Sequence, residues 1–395
     1  MRLSDKIVFI RVMPSSLLDS LSTYYEHYFP AESFCGWLSY GSKTYLSRRE
    51  FSLTLHNDVY IRYCSYKNPE ELRKVLRTRC PIKIDVGAVY NDLPSSRHIN
   101  AILPIEKELV FDIDLTDYDE IRTCCEGAKC CIKCWQFIRI AVKVIQAGLT
   151  ADFGCHKLLV VYSGRRGVHI WVCDKRARML SDTIRSAILS YFSVVKGGAE
   201  QAKKVSLHEI HPSIRRSIEI IKPFFLGILE DQQLLELPEK ISKMHALCET
   251  GNASIERCLP SDNGNSVAEK WSTMVQHESE KTRSEIMLQY TYPRLDVHVS
   301  TKMNHLLKSP FSAHPSTQRI CLPIWDIDTF DPTACITLQD VLKDASAFLE
   351  HVKRFDAFVD GLAQEAHVPD KVVSMRETTA WRSRWTFKLL LRRNK

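Results

Sequence analysis

The sequence predicts a mixed α/β fold of the α+β class, in which strands lie on both sides of one long helical block. Apolar residues alternate with a period of two in several short segments, as in half-buried strands. Between residues 181 and 289 they recur instead every three or four residues, as in amphipathic helices. A chain of 395 residues with 45% hydrophobic content can bury a sizeable core.

The segment Glu108–Asp117 reads as a strand with two unlike faces. Apolar residues from Leu109 to Leu115 share one face, whereas Asp112 and Asp114 share the other. Side chains two residues apart on a strand are roughly 6.5 Å apart, so both carboxylates can reach one divalent cation or two neighbouring ones. Magnesium prefers such hard oxygen ligands together with substrate phosphates. The alternative is a solvated face with two ordinary acids.

Upstream of this strand, the sequence predicts two helices, a hairpin and a further strand. Helical spacing follows a Pro-Ser-Ser start in Ser15–Tyr28 and recurs in Pro69–Arg79. Between them, Arg49–Leu55 and Val59–Tyr63 alternate on either side of a His-Asn-Asp turn, which indicates a β-hairpin. The further strand covers Pro81–Gly87.

Charged residues occupy the polar faces of these strands. Glu50 and Arg62 lie on the two arms of the hairpin, where they form either a structural cross-strand ion pair or part of a site. Lys83 and Asp85 share the polar face of the next strand, and the same two interpretations apply.

A cysteine cluster follows the acidic strand, with five cysteines in the thirteen residues Thr123–Trp135. Cys131 and Cys134 have the C-x-x-C spacing of a zinc knuckle, and Cys124 with Cys125 can supply two more thiolates for a tetrahedral site. Cys130 adjoins Cys131 and is an alternative to it as a ligand. Four thiolates leave no open position, so the zinc would be structural.

A glycine-rich turn follows a predicted helix, Phe137–Leu149, and a strand, Lys157–Tyr162. It reads Ser163-Gly-Arg-Arg-Gly-Val-His169 and leads into a returning strand. Backbone amides of such a turn can approach an anion, and Ser163, Arg165, Arg166 and His169 add hydroxyl, cationic and imidazole groups. A triphosphate fits this arrangement. The alternative is a basic hairpin turn, and in either case His169 faces the same side as Trp171.

The helical block contains a segment rich in Asn, Ser and Gly, Thr250–Ser266, which indicates a flexible loop. After the block, Tyr292–Ser300 alternates again and predicts a strand with Asp296 and His298 on its polar face. A third acid therefore joins the first two on a face away from the core.

The rest of the chain predicts one helix and a basic tail. Lys308 and His314 lie in a Pro-containing segment and are, taken alone, typical surface charges. Leu338–Leu362 is amphipathic and predicts one helix. The tail Arg376–Lys395 has seven basic residues and one acid with interleaved aromatic residues, which fits contact with nucleic acid or a partner and equally a closing helix.

Composition bounds the compartment and the partners. The 54 Lys and Arg exceed the 47 Asp and Glu, and the net charge of +7 fits a polyanionic partner as well as ordinary surface charge. Fourteen cysteines favour a reducing compartment, the cytosol or the nucleus. The apolar run Ile7–Met13 is short and interrupted by Arg11, so we expect neither a secretory leader nor a membrane span.

Together, these groups match the requirements of two-metal nucleotidyl transfer. Three acids can hold the metals, while an arginine-bearing turn can neutralise a triphosphate. The sequence moreover resembles the catalytic small subunit of eukaryotic DNA primase, within the archaeo-eukaryotic primase superfamily. The resemblance lies in REFSLTL, VYIRY, PIKIDVGAVY, EKELVFDIDLTDYD, the cysteines with KCW, VYSGRRGVHIWVCD, IMLQYTYPRLDVHVS and NHLLKSPFSAHP, from about residue 24 to 325.

The resemblance implies roles for individual residues. Asp112, Asp114 and Asp296 would hold two catalytic Mg²⁺ or Mn²⁺ ions, with Glu50 as a further catalytic residue. Residues implied in nucleotide binding are Ser163, Gly164, Arg165, Arg166, Gly167, His169, Asn304, His305, Lys308, His314, Arg62, Lys83, Tyr60 and Asp85. The family's zinc pattern coincides with Cys124, Cys125, Cys131 and Cys134, which leaves Cys130 as an extra cysteine.

The resemblance also implies architecture and partners. We expect a catalytic domain formed by residues 1–180 and 290–330 around a split, mostly antiparallel sheet, with a zinc knuckle at 124–134, an inserted helical subdomain at 181–289 and a helical and basic tail at 331–395. Expected partners are the large primase subunit, which carries an iron–sulfur cluster, the DNA polymerase α complex, single-stranded DNA template, RNA primer and ribonucleoside triphosphates. The expected compartment is the nucleus, and no membrane is involved.

The expected activity is RNA primer synthesis without a pre-existing primer on single-stranded DNA. Two alternatives share some of the residues. One is a primase-polymerase that extends with deoxynucleotides during damage tolerance, and the other is a non-catalytic zinc module that binds nucleic acid. The three aspartates and the glycine-arginine turn favour an enzyme over the binding module.

Overall fold

The computed structural model describes residues 16–98, 101–197, 201–249 and 266–366. The first part of the chain forms α1 (Leu17–His27), α2 (Ala31–Ser39), α3 (Tyr45–Arg48), β1 (Arg49–Thr54), β2 (Tyr60–Cys64), α4 (Pro69–Arg79), β3 (Lys83–Tyr90) and β4 (Pro104–Glu106). The middle part forms β5 (Leu109–Asp114), α5 (Ile132–Phe153), β6 (Leu158–Tyr162), β7 (Gly167–Val172), α6 (Lys175–Arg178), α7 (Asp182–Phe192), α8 (Pro212–Asp231) and α9 (Pro238–His245). The last part forms α10 (Val267–Met274), α11 (Glu280–Thr291), α12 (Val297–Thr301), β8 (Leu307–Lys308), α13 (Leu338–Lys343) and α14 (Ser346–Ala366).

In the described part of the chain the strands form two separate sheets, and every pairing between named strands is antiparallel. One sheet has the order β2-β1-β3-β4, with β8 also paired to β3, and the other has the order β5-β7-β6. The expected α+β fold with a split antiparallel sheet is therefore confirmed.

The β5-β7-β6 sheet is buried on both faces. Phe111 and Ile170 contribute one face to a core that continues into α5, α8 and α11. Val110 and Trp171 contribute the opposite face to a second core, shared with the other sheet. The prediction that β5 has one core face and one polar face is thus only half right. The polar face opens only near the end of the strand, at Asp112 and Asp114, and this opening positions the site.

The predicted N-terminal elements are confirmed with small changes at their ends. The hairpin, the helix Pro69–Arg79 and the strand that follows it are present as β1 with β2, α4 and β3. The helix near the N-terminus begins after Ser16, whose hydroxyl accepts a hydrogen bond from the Asp19 amide at 3.2 Å.

Two predicted elements are wrong. Tyr292–Ser300 is not a strand, because Asp296 caps α12 and its carboxylate accepts a hydrogen bond from the His298 amide at 2.9 Å. Leu338–Leu362 is not one helix but α13 and α14, separated at Asp344, whose carboxylate accepts a hydrogen bond from the Ser346 amide at 2.9 Å. In both places an Asp side chain competes for local backbone groups, which an apolar pattern does not reveal.

The residues 181–289 that the structure describes are helical between their loops, as the spacing predicts. Buried residues of α8 and α11 belong to the same core as the β5-β7-β6 sheet. The domain boundaries themselves stay a prediction. The expectations for Ile7–Met13, for the loop at 250–265 and for Arg376–Lys395 fall outside the described residues.

Candidate active site

Three acids converge on one cleft of about 450 Å³. Asp112 and Asp114 reach it from β5, and Asp296 reaches it from the N-terminus of α12. The Asp296 amide donates a hydrogen bond to the Asp112 carbonyl at 3.2 Å, which fixes the third acid beside the other two. The position is as the sequence predicts, although a helix cap rather than a strand provides it.

The two strand acids have opposite electrostatic environments. Burial, reinforced by the charges of Asp114, Asp296 and Asp117, raises the pKa of Asp112 to about 7. Burial also opposes ionisation of Asp114, but hydrogen bonds from Thr116 and the Arg166 guanidinium bring its pKa below the usual value. A cluster of acids that raises its own pKa values in this way, and that offers hard oxygen donors, fits divalent cations.

Asp117 is a cleft residue that the sequence analysis missed. The strand ends at Asp114, because the carboxylate accepts the Thr116 amide at 2.9 Å and the chain enters a 3₁₀ turn, Leu115–Tyr118. The turn brings Asp117 into the lining of the cleft, where burial and the charges of Asp114 and Asp296 raise its pKa to about 6. The spacing Asp-x-Asp-Leu-Thr-Asp is the available signal in the sequence, but the same residues also fit a continuous strand.

The glycine-rich turn approaches the acids closely. The Arg166 Nε donates to the Asp114 carboxylate at 2.6 Å. Gly167 pairs with Asp114 across the sheet, and a Cβ at Gly167 would lie 2.3 Å from the Ile113 carbonyl oxygen. Gly164 has φ +87°, and a Cβ there would lie 2.7 Å from the Cβ of His314. Only glycine satisfies these two positions.

Other polar groups of the glycine-rich turn form hydrogen bonds with one another or with the adjacent strand. The Ser163 hydroxyl accepts a hydrogen bond from the Gly167 amide at 3.1 Å, and the Ser163 amide donates to the Gly167 carbonyl at 2.9 Å. The Arg165 carbonyl accepts a hydrogen bond from the Tyr162 hydroxyl at 2.8 Å. These bonds hold the backbone of the turn and leave the Arg165 guanidinium partly exposed.

Cationic groups gather beside the turn. The Lys308 ammonium donates to the Ser163 carbonyl at 3.2 Å. Burial, with Lys308, Arg165 and Arg166 nearby, lowers the pKa of His314 to about 3. A half-buried histidine, kept neutral by burial and by three neighbouring cations, marks a region of positive potential next to the acids. Such a region suits an anion.

His169 lies between the acids and these cations. Its Nε2 is 3.8 Å from the Asp112 carboxylate, its partner across the β5-β7 pairing. Burial, and then the charge of Lys308, lowers the pKa of His169 to about 3, so the imidazole is neutral near pH 7. A neutral ring can donate one hydrogen bond to the cleft but supplies no charge.

Glu50 and Arg62 form the cross-strand ion pair that the sequence suggested, with Nε and Oε1 2.9 Å apart. The Tyr90 hydroxyl donates to the second Glu50 oxygen at 2.9 Å, and Glu50 is fully buried. Arg62 also reaches the Asn304 carbonyl at 3.4 Å. Glu50 therefore orients Arg62 toward the loop around Asn304, and it does not line the acidic cleft.

The remaining predicted residues lie on the loop around Asn304 or on the strands β2, β3 and β8. Lys83 Nζ lies 3.1 Å from the Asp85 carboxylate, which also accepts the Ser52 hydroxyl, and Asp85 pairs with Lys308 between β3 and β8. The His305 carbonyl accepts a hydrogen bond from the buried ammonium of Lys107, a contact that the sequence analysis did not predict.

Tyr60 and His305 both have exposed side chains. Tyr60, the first residue of β2, is 52% exposed. Burial lowers the pKa of His305, and the Lys107 charge adds to the effect.

The cysteine cluster forms a separate metal-binding arrangement. The Sγ atoms of Cys124, Cys125, Cys131 and Cys134 all lie within 4.8 Å of one another, which fits four thiolates around one metal ion. Cys130 is not part of this set of four. None of the four lines the acidic cleft, so the two sites are distinct.

Within the described residues, no helix combines the length and the apolar character needed to cross a membrane.

Comparison with known proteins gives consistent matches. The family model of the DNA primase small subunit matches residues 111–325. The DNA primase small subunit of Drosophila melanogaster is 36% identical over 87% of this chain and 85% of that protein. That of Schizosaccharomyces pombe is 40% identical over 82% of this chain and 77% of that protein. That of Saccharomyces cerevisiae is 32% identical over 88% of this chain and 92% of that protein.

Proposed function

The chain belongs to the DNA primase small subunit family, and from that premise we propose that it joins ribonucleotides de novo on single-stranded DNA by two-metal nucleotidyl transfer. Membership makes it a primase, the catalytic subunit of a replication enzyme. One observation carries the mechanistic part of the proposal: Asp112, Asp114 and Asp296 converge on one cleft beside a cationic turn.

The acids would hold two Mg²⁺ or Mn²⁺ ions. The lowered pKa of Asp114 favours its ionised form, whereas the protonated fraction of Asp112 must lose its proton when a cation binds. When bound, the ions activate the attacking 3′ hydroxyl and neutralise charge on the triphosphate. Asp117 lies close enough to raise the negative potential of the cleft.

The turn and its neighbours would bind the incoming nucleotide. The backbone of the turn around Gly164 can approach a phosphate. The Gly167 amide is bound to the Ser163 hydroxyl, so Gly167 contributes by letting the turn pack closely against β5. Arg165, Arg166 and Lys308 supply the positive charge, while Ser163, His169 and His314 supply neutral polar groups.

Two further cations, Arg62 and Lys83, would face the other nucleotide or the primer strand. Arg62, held by Glu50, has a fixed orientation near the Asn304–His305 loop. Lys83, held by Asp85, adds to the positive charge around His169 and His314. Tyr60, exposed on the same strand as Arg62, offers an aromatic face for a base. Initiation has a high entropic cost, because two nucleotides and a template must be held together. Cations whose orientation is already fixed lower this cost.

The cysteines would hold one Zn²⁺. Four thiolates leave no position for substrate, so the ion is structural and fastens the segment after the acidic strand. Partner and compartment proposals follow from the family: a large primase subunit, the DNA polymerase α complex, single-stranded DNA template, an RNA primer product, ribonucleoside triphosphates and the nucleus.

Dinucleotide synthesis on an unprimed pyrimidine template tests the proposal. We expect product from ribonucleotides with Mg²⁺ or Mn²⁺, none from Asp112→Asn or Asp296→Asn, and normal product from Asp360→Asn, an exposed acid on α14. Arg166→Ala should raise the KM for nucleotide. Product only from deoxynucleotides on a primed template would favour a damage-tolerance polymerase instead. Normal activity of Asp112→Asn would refute the metal assignment.

A further inference from the structure

A buried glutamine connects the helical block to the cysteine cluster. Gln232 follows the last residue of α8 and has no exposed surface. Its Oε1 accepts the amides of Thr123 at 2.8 Å and Cys124 at 3.3 Å. Its Nε2 donates to the Cys124 sulfur at 3.4 Å, and its carbonyl accepts the Thr123 hydroxyl at 2.8 Å. All polar groups of the side chain therefore point at one short segment.

The orientation of this amide follows from its partners. Two backbone N–H groups can be satisfied only by the Oε1 end, so the NH₂ end of Gln232 must face the sulfur of Cys124. A hydrogen bond donated to sulfur fixes the direction of the Cys124 side chain and partly offsets the negative charge of a metal-bound thiolate.

A second buried donor lies at another corner of the cluster. Arg122 is 4% exposed, and its guanidinium is 3.9 Å from the Cys134 sulfur. The same guanidinium donates to the Lys129 carbonyl at 2.8 Å and to the Gly127 carbonyl at 3.0 Å. Arg122 holds the loop inside the cluster, whereas Gln232 comes from outside it.

We propose that Gln232 is a positioning residue of the four-cysteine metal site, and that through it the bound metal fastens the end of α8 to the segment following the acidic strand. The inference rests on the proposed metal occupancy. On this proposal the metal connects α8 to the segment after β5, in addition to closing the loop that carries the cysteines. Partners of metal ligands set ligand orientation and commonly change metal affinity about 10–100-fold when removed.

The first test measures metal release from the full chain reconstituted with Zn²⁺, using excess chelator and a zinc-sensitive dye. Gln232→Met keeps about the volume of the side chain but removes the amide, both the donor to the Cys124 sulfur and the acceptor for the Thr123 and Cys124 amides. We expect release about tenfold faster than from the wild type. The matched control is Gln289→Met, because Gln289 also bridges backbone groups, the Lys204 amide at 2.8 Å and the Ala202 carbonyl at 2.7 Å, without touching sulfur. Its release rate should equal that of the wild type.

Gln232→Glu is the second variant and keeps the shape of the side chain, so it covers the case in which Gln232→Met fails to fold. An oxygen replaces the NH₂ group and faces the Cys124 thiolate, so release should be faster still. Hydrogen exchange supplies a readout beyond metal content. Amides near the end of α8 should exchange faster in both variants and in chelated wild type, and Gln289→Met should not change them.

The outcomes distinguish failure of the metal site from failure of the role proposed for Gln232. A wild-type chain that retains no Zn²⁺ would overturn the metal site and this inference with it. A wild type that holds one Zn²⁺, with Gln232→Met and Gln232→Glu releasing it at the wild-type rate, would overturn the inference alone. Faster release without faster exchange at the end of α8 would overturn the proposed fastening.

Discussion

The buried ion pair of Arg49 and Glu108 should contribute strongly to stability, with a pH dependence that identifies it. Arg49 begins β1 and Glu108 precedes β5, so the pair joins the two sheets that flank the site. The atoms Nη1 and Oε2 are 3.0 Å apart, and both side chains are fully buried. The Tyr40 hydroxyl adds a hydrogen bond to Glu108 at 2.7 Å.

The magnitude follows from the carboxyl group. Burial opposes ionisation of Glu108, but Arg49 and Tyr40 outweigh it and lower its pKa from 4.5 to about 2. That difference corresponds to about 3 kcal/mol of folding free energy. Because the folded-state pKa is the lower one, this stability is present above pH 4.5 and is lost as the pH falls through 2.

Arg49→Met should cost about 3–5 kcal/mol at pH 7, because it leaves a buried carboxylate without its partner. Burial then raises the pKa of Glu108, so at pH 5 the group can accept a proton and the loss should be smaller. Adding Glu108→Gln to Arg49→Met removes the isolated charge and should restore most of the stability.

Urea unfolding at pH 7 and pH 5, followed by tryptophan fluorescence, checks these values. The control is Arg73→Met, which removes the exposed pair of Arg73 and Glu32 and should cost at most about 1 kcal/mol at either pH. Equal losses for Arg49→Met at both pH values, or a double variant as unstable as the single one, would refute the electrostatic reasoning.

Three further predictions follow from the site. Gly167→Ala should unfold or strongly destabilise the chain in thermal melts, because the new Cβ would lie 2.3 Å from the Ile113 carbonyl oxygen. The control is Gly361→Ala on α14, where a Cβ meets no other atom and the change should stabilise the chain by up to about 1 kcal/mol. Binding of Mn²⁺ should strengthen from pH 6 to pH 8 with proton release in calorimetry, since the pKa of Asp112 is about 7; a pH-independent affinity would contradict this. Cys131→Ser should lower both bound zinc and melting temperature, and unchanged zinc content would exclude it as a ligand.

The sequence predicts the parts of the site that depend on strand periodicity. Alternation places Asp112 and Asp114 on one side of β5, and the pairing with β7 then sets His169 opposite Asp112. The two glycines of the turn have separate physical reasons. Gly167 lies where β7 closely approaches β5, and Gly164 has a positive φ beside His314.

The parts of the site that depend on side-chain capping cannot be predicted from strand periodicity. Leu-x-Val-x-Val around Asp296 fits a strand, and only the bond from its carboxylate to the next turn shows that it caps a helix. Asp117 reaches the cleft because Asp114 ends β5 by the same kind of bond. Long-range partners such as Gln232 and Cys124 carry no local pattern at all.

Two acids on the same short segment, the buried Glu108 and the half-buried Asp112, have opposite electrostatic environments. Glu108 has its pKa lowered, because the fold supplies a cation and a hydroxyl for it, so ionisation stabilises the folded chain. Asp112 has its pKa raised to about 7, because burial and neighbouring acids surround it. Its ionisation therefore opposes folding, and metal-free stability should fall as the pH rises from about 4 through 7. The fold keeps this unfavourable charge although Lys308 offsets part of it, which agrees with the proposal that the cleft binds a cation.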